Sequence, residues 1–271
     1  MKGVLLALLV AGPAWAGAWS QPQGHYYAKF SGIFYAADEV FNDMGKREAL
    51  GMDRDRFEAG QGFFYLEYGL RERLTLVCQA SGGQLVSRSD LIERQTTGLG
   101  DADLGFKYQL VDRPVVVAPY LSLKLPTGYH AEYDPPLGTG EADAEFRLLA
   151  ARSLYPWPLY LGAEAGYRFR GGAFSDQVAY LFEVGGSPHR RLFAKVYAEG
   201  RETLSKGQGN SGEVGVLQVS EGDFAKAGVN VAFAMRGPLW VDLLAETLFS
   251  GDNIGAGRSW GLGISYKGGG P

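Results

Sequence analysis

Three histidines, one cysteine and a long series of alternating acids and bases are the residues of this 271-residue chain that could do chemistry. His130 has the most suggestive neighbours, Glu132 and Asp134, a grouping that a metal or a rim-located hydrolase could use. One histidine with two loop carboxylates is a common accident, and a Ser–His hydrolase needs its nucleophile and base within hydrogen-bond reach. No pair of strand segments places a serine beside His25, His130 or His189 in that way. Cys78, between Leu76 and Ala80, reads as a small apolar filler rather than a nucleophile, and a lone cysteine builds no internal disulfide framework. The glycine pairs Gly82-Gly83, Gly171-Gly172 and Gly185-Gly186 fit strand kinks and turns and match no phosphate loop. The sequence therefore predicts no catalytic set, no metal site and no cofactor.

The charges carry more information through their spacing. Lys29, Glu67, Asp101, Asp103, Lys107, Lys124, Glu141, Asp143, Glu145, Arg147, Glu164, Arg168, Glu183, Lys195, Glu199, Arg201, Lys226, Asp242 and Glu246 all alternate with apolar neighbours. In 159–170 one face reads Leu159, Leu161, Ala163, Ala165, Tyr167, Phe169, and the other holds Glu164, Arg168 and Arg170. Successive side chains of a strand point to opposite faces, so these charges share one face of a sheet. Acids and bases are matched closely enough to pair across neighbouring strands. They would then either brace an interior or tune a passage.

The elements that must position them are strands. Alternation bounded by turn residues predicts twelve, at 24–37, 60–71, 74–87, 99–110, 115–125, 141–152, 159–170, 177–186, 192–204, 224–235, 239–249 and 259–266. Most reach the roughly 9–11 residues that a tilted membrane strand needs. Connections alternate strictly: short after even strands, as at 72–73 and 237–238, and long after odd ones, as at 38–59, 126–140 and 205–223. Outer-membrane barrels have short periplasmic turns and long outer loops. The loop 38–59 is the best candidate for a plug. Forty glycines and 13% aromatic residues suit strands and turns, and a net charge of −4 argues against a nucleic-acid partner. Residues 1–16 read as a secretory signal: Lys2, a short apolar stretch, Gly12-Pro13, then Ala14-Trp15-Ala16, with cleavage after Ala16 or Ala18 equally compatible. Residues 17–271 then form one all-β domain.

Alternation alone does not say which face is inside. Three features favour apolar side out. The apolar face is rich in alanine (Ala142, Ala144, Ala163, Ala165, Ala225, Ala227), which packs a dry core poorly. Aromatic residues such as Phe34, Tyr68, Tyr108, Phe169, Phe249 and Trp260 gather near strand ends, and the chain closes on an alternating strand through Trp260, Leu262, Ile264 and Tyr266. The expectation is a transmembrane antiparallel up-and-down β-barrel in the outer membrane of a Gram-negative bacterium. Its partners would be outer-membrane lipid, a small solute and, during biogenesis, the barrel-assembly machinery.

Three stretches, GLGDADLGFKYQL (98–110), PYLSLKLPTG (119–128) and PLGTGEADAEFRLLAARSL (136–154), resemble the outer-membrane barrels named for the meta-pathway of phenol degradation. The resemblance covers 98–170 well and the remainder by pattern. It implies passage of small solutes, aromatic and hydrophobic ones among them, and carries no catalytic set. A closed structural or partner-binding barrel is the alternative, and a rim enzyme at His130 the third reading.

Overall fold

The computed structural model describes residues 17–50, 55–130, 132–204 and 223–270. The predicted signal segment 1–16 and most of the loop 205–223 lie outside them. Twelve antiparallel strands form a closed barrel: β1 (Tyr26–Ala37), β4 (Arg56–Arg71), β5 (Leu74–Arg88), β6 (Glu93–Tyr108), β7 (Val116–Leu125), β8 (Asp143–Ser153), β9 (Leu159–Phe169), β10 (Gln177–His189), β11 (Leu192–Thr203), β12 (Phe224–Ala234), β13 (Leu239–Gly251) and β15 (Arg258–Gly268). Each strand pairs with its barrel neighbours in sequence, and β1 closes on β15 from Tyr26↔Gly268 to Ala36↔Arg258. Closure leaves no strand edge unpaired, which lipid requires. No helix among the described residues is long and apolar enough to cross a membrane.

The sheet is inverted relative to a water-soluble protein. In β9, Tyr160, Glu164 and Arg168 are buried while Leu161, Ala165 and Phe169 are exposed. The same parity puts Phe30, Phe34, Leu243, Trp260 and Leu262 outside and Lys29, Asp242 and Ser265 inside. Rows of outward residues follow the register, for example Ala150, Ala163, Phe182, Ala198 and Ala227. Cys78 faces outward beside Leu66 and Leu104.

Three strands were not foreseen. β2 (Glu39–Phe41), β3 (Arg47–Ala49) and β14 (Ile254–Gly255) form a small sheet from the loops at the outer end. Phe41 and Ile254 from it pack on Tyr35, Phe57, Leu85, Leu137 and Leu248. The predicted loop 38–59 thus contributes a cap rather than a deep plug. β4, β5 and β6 also run further outward than alternation suggests. There Arg88 bridges Glu58 at 2.7 Å and Glu93 at 3.0 Å, so water-exposed charges on both faces hide the period.

A basic residue on the outward face separates lipid from water as surroundings. Leu262→Arg, at the middle of β15, is expected to destabilise the barrel in bilayers by about 2–4 kcal/mol. A change within about 0.5 kcal/mol, normal for a water-exposed site, in urea titrations in liposomes would contradict the inverted arrangement.

Candidate functional site: a charged lumen

The luminal face carries ion pairs that bridge strands. Lys29 on β1 reaches Asp242 on β13 at 2.7 Å, both nearly inaccessible, and Asn230 on β12 donates to the same oxygen at 2.7 Å. The pair passes over β15, where a Cβ on Gly263 would lie 2.5 Å from Asp242 Oδ1 and 2.8 Å from Lys29 Cε, so only glycine leaves room. Lys107 binds Glu67 at 2.9 Å. Lys124 lies between Asp101 at 3.0 Å and Asp143 at 3.1 Å, and Arg168 binds Asp143 at 2.9 Å. Asp103 stands opposite Lys124 in the ladder. Arg147 joins Glu145 at 2.5 Å and Glu164 at 3.1 Å. Lys195 meets Glu183 at 2.8 Å, and Lys226 meets Glu199 at 2.9 Å and Glu246 at 3.0 Å. Arg201 reaches Glu145 at 3.5 Å, and its Nη1 is buried with no hydrogen-bond partner among the described residues.

Glu141 departs from this set. The chain bends before β8 begins at Asp143, so Glu141 is exposed and packs beside Gly171 and Gly172 of the neighbouring loop. The period of 141, 143 and 145 continues in sequence but not in space.

Several participants were overlooked because they are tyrosines or amides. Tyr65 donates to Glu67 at 2.7 Å, Tyr160 to Glu183 at 2.9 Å, and Tyr197 to Glu246. Each shares the parity of the charges on its own strand, which was the available signal. Tyr129, from the outer loop, donates to Asp101 at 2.5 Å. Burial, together with that hydrogen bond, pushes the Tyr129 hydroxyl well above its ordinary range.

At the periplasmic end residues 17–23 run into the lumen. Ala18 is buried against Val116, Ala118, Leu149 and Ala151. Trp19 packs edge-on against Tyr160 with centroids 5.5 Å apart. Lys107 Nζ donates to the Gly17 carbonyl at 2.7 Å, Gln21 Nε2 to Glu67 at 2.7 Å, and Ser20 N to Gln109 Oε1 at 3.0 Å. Between this segment and the outer cap lies a cavity of about 190 Å³. Ile33, Phe63, Leu181 and Phe224 line it together with Lys195, Glu199, Arg201 and Lys226, and register interleaves the two kinds: Leu181 lies opposite Glu199 and Phe224 opposite Arg201.

The histidine cluster does not assemble. Asp134 is taken by Arg94 at 2.5 Å, and His130 stacks edge-on against Tyr133. Among the described residues no group of three His, Cys, Asp or Glu side chains is placed to hold a metal.

Solved structures share this architecture. A COG4313 outer membrane channel from Pseudomonas putida F1 superposes with a TM-score of 0.73 at 13% identity, over 92% of this chain and 97% of that one. The NanC porin gives 0.58 at 8% identity, over 88% and 98%. The KdgM porin in complex with disordered oligogalacturonate gives 0.56 at 6% identity, over 89% and 98%. At these identities the likeness is one of fold: the chain is an outer-membrane-type β-barrel. No family model matches the sequence, and neither does any curated protein.

Deleting one member of a buried pair leaves its partner's charge without its counter-ion, at a cost of about 3–5 kcal/mol. Asp242→Asn, which keeps the shape, is expected to lower the urea midpoint of folding in micelles accordingly. A shift below about 1 kcal/mol would show that the Lys29–Asp242 pair does not brace the wall.

Proposed function

We propose that the barrel passes small, largely apolar solutes across the outer membrane, holding them briefly in the luminal cavity. The observation that carries this is the cavity's size and lining. An apolar space of about 150 Å³ holds one benzene, and the luminal cavity is about 190 Å³, with Ile33, Phe63, Leu181 and Phe224 interleaved among the charged side chains that line it. Those charged side chains supply donors and acceptors that orient a hydroxyl or carboxyl group. A solute with a single ring matches this chamber, in keeping with the resemblance to barrels of phenol catabolism. In this reading Lys195, Glu199, Arg201, Lys226 and Glu246 tune passage, and the pairs around Lys29, Lys107 and Lys124 keep the tube open. The reading assigns no bond-making step to the protein, and the capture of Asp134 by Arg94 argues against a rim enzyme at His130.

The segment 17–23 is part of this machinery. Because Gly17 and Ala18 make buried contacts, secretion with cleavage after Ala16 preserves them, whereas cleavage after Ala18 removes them. Intact mass of the purified protein then begins at Gly17.

The close pairing of the luminal charges favours a second reading, a braced structural barrel. Two measurements separate them. Purified barrel is expected to bind phenol saturably, and Leu181→Trp, which fills the chamber, to abolish that binding. Removal of residues 17–23 is expected to raise planar-bilayer conductance several-fold. A folded barrel that binds no phenol and stays closed without the segment would support the structural reading.

A further inference from the structure

The outer wall of β8–β11 carries a groove of about 600 Å³. Ala150 and Ala163 form its recess on one side of the exposed Phe182, with Ala198 on the other side, and Leu161 and Val196 also line it. Register fixes this shape: Ala150 lies opposite Ala163, Ala163 opposite Phe182, and Phe182 opposite Ala198. At the periplasmic end of the groove stands Arg152, outward and exposed, opposite Leu161. It makes no ion pair among the described residues. The turn that follows presents Tyr155 and Trp157, strongly exposed, as barrels do at headgroup level. The other short turns at this end carry Arg73, Arg113, Arg190, Arg191 and Arg236, against the acids Glu72 and Asp112.

We propose that this groove seats one ordered glycerophospholipid of the periplasmic leaflet, with its phosphate at Arg152 and an acyl chain over Ala150 and Ala163, against Phe182. Hydrocarbon fills a recess that the small side chains leave open, regaining dispersion contacts that an empty groove lacks. A guanidinium at headgroup depth offers a paired donor geometry for a phosphate. Charge decides between lipid and a second barrel: two copies meeting here in one membrane plane would set arginine collar against arginine collar. The inference rests on the membrane-spanning fold and is independent of what the lumen carries.

Native mass spectrometry of delipidated barrel titrated with phosphatidylglycerol tests it. Wild type is expected to retain one lipid at the lowest lipid ratios. Arg152→Gln should weaken retention about fivefold, the loss of one basic side chain near a lipid surface. Ala163→Phe, which fills the recess, should weaken it at least as much, with both variants keeping heat-modifiable migration as the sign of a folded barrel. Arg236→Gln, in another turn of the collar, should retain the lipid like wild type. Wild-type binding by Arg152→Gln and Ala163→Phe overturns the site. So does equal weakening by Arg236→Gln, which would make the attraction a property of the whole collar. Retention of inorganic phosphate in place of the lipid, or a lipid-free mass of two barrels, overturns it as well.

Discussion

The pairing of β1 with β15 is the constraint on which everything else here depends. Hydrocarbon offers no partner to a free N–H or C=O group, so a spanning sheet must close on itself. Once closed, with lipid outside, the sheet has to turn its apolar face outward. The charges that alternate with that face are then confined to a narrow tube. In such a tube they are removed from bulk water, and burial of a charge is tolerated when it is paired and hydrogen-bonded. The lattice of Lys29–Asp242, Lys107–Glu67, Lys124–Asp143–Arg168 and Lys226–Glu246 follows from closure in this way. Gly263 shows how tightly the two are coupled: a strand crossed by an ion pair has no space for a side chain.

The interior is graded along its axis. Aromatic and aliphatic side chains dominate both ends, with Tyr35, Phe57 and Ile254 under the outer cap and Ala18, Val116 and Leu149 around the entering chain. The charged belt lies between, and the cavity adjoins both kinds of surface. The two ends differ in character. The outer one carries a folded sheet, whereas the inner one holds a single segment fixed by a few hydrogen bonds, the burial of Ala18 and the packing of Trp19.

Much of the architecture was legible in the sequence. Alternation located all twelve barrel strands. What failed did so for physical reasons. β2, β3 and β14 are two or three residues long, too short for a period to emerge. The contacts of residues 17–23 are tertiary, and no local propensity announces them. Glu141 was misplaced because a period of two cannot detect the bend that precedes β8. Tyr65 and Tyr197 were passed over because tyrosine suits either face, although their parity matched that of Glu67 and Glu199. The distant pairing of Arg201 with Glu145 could not be read from sequence at all, since it depends on which acids face it across the lumen.

The central claim is that the apolar face meets lipid and the charged face lines the lumen. Cys78 is the only cysteine and stands on the apolar face between Leu66 and Leu104, so it reports on that claim without any substitution. A nitroxide attached to Cys78 in reconstituted bilayers should collide freely with oxygen, which concentrates in hydrocarbon, and be shielded from a water-soluble paramagnetic chelate. Free collision with the chelate and protection from oxygen would place Cys78 against water and contradict the account.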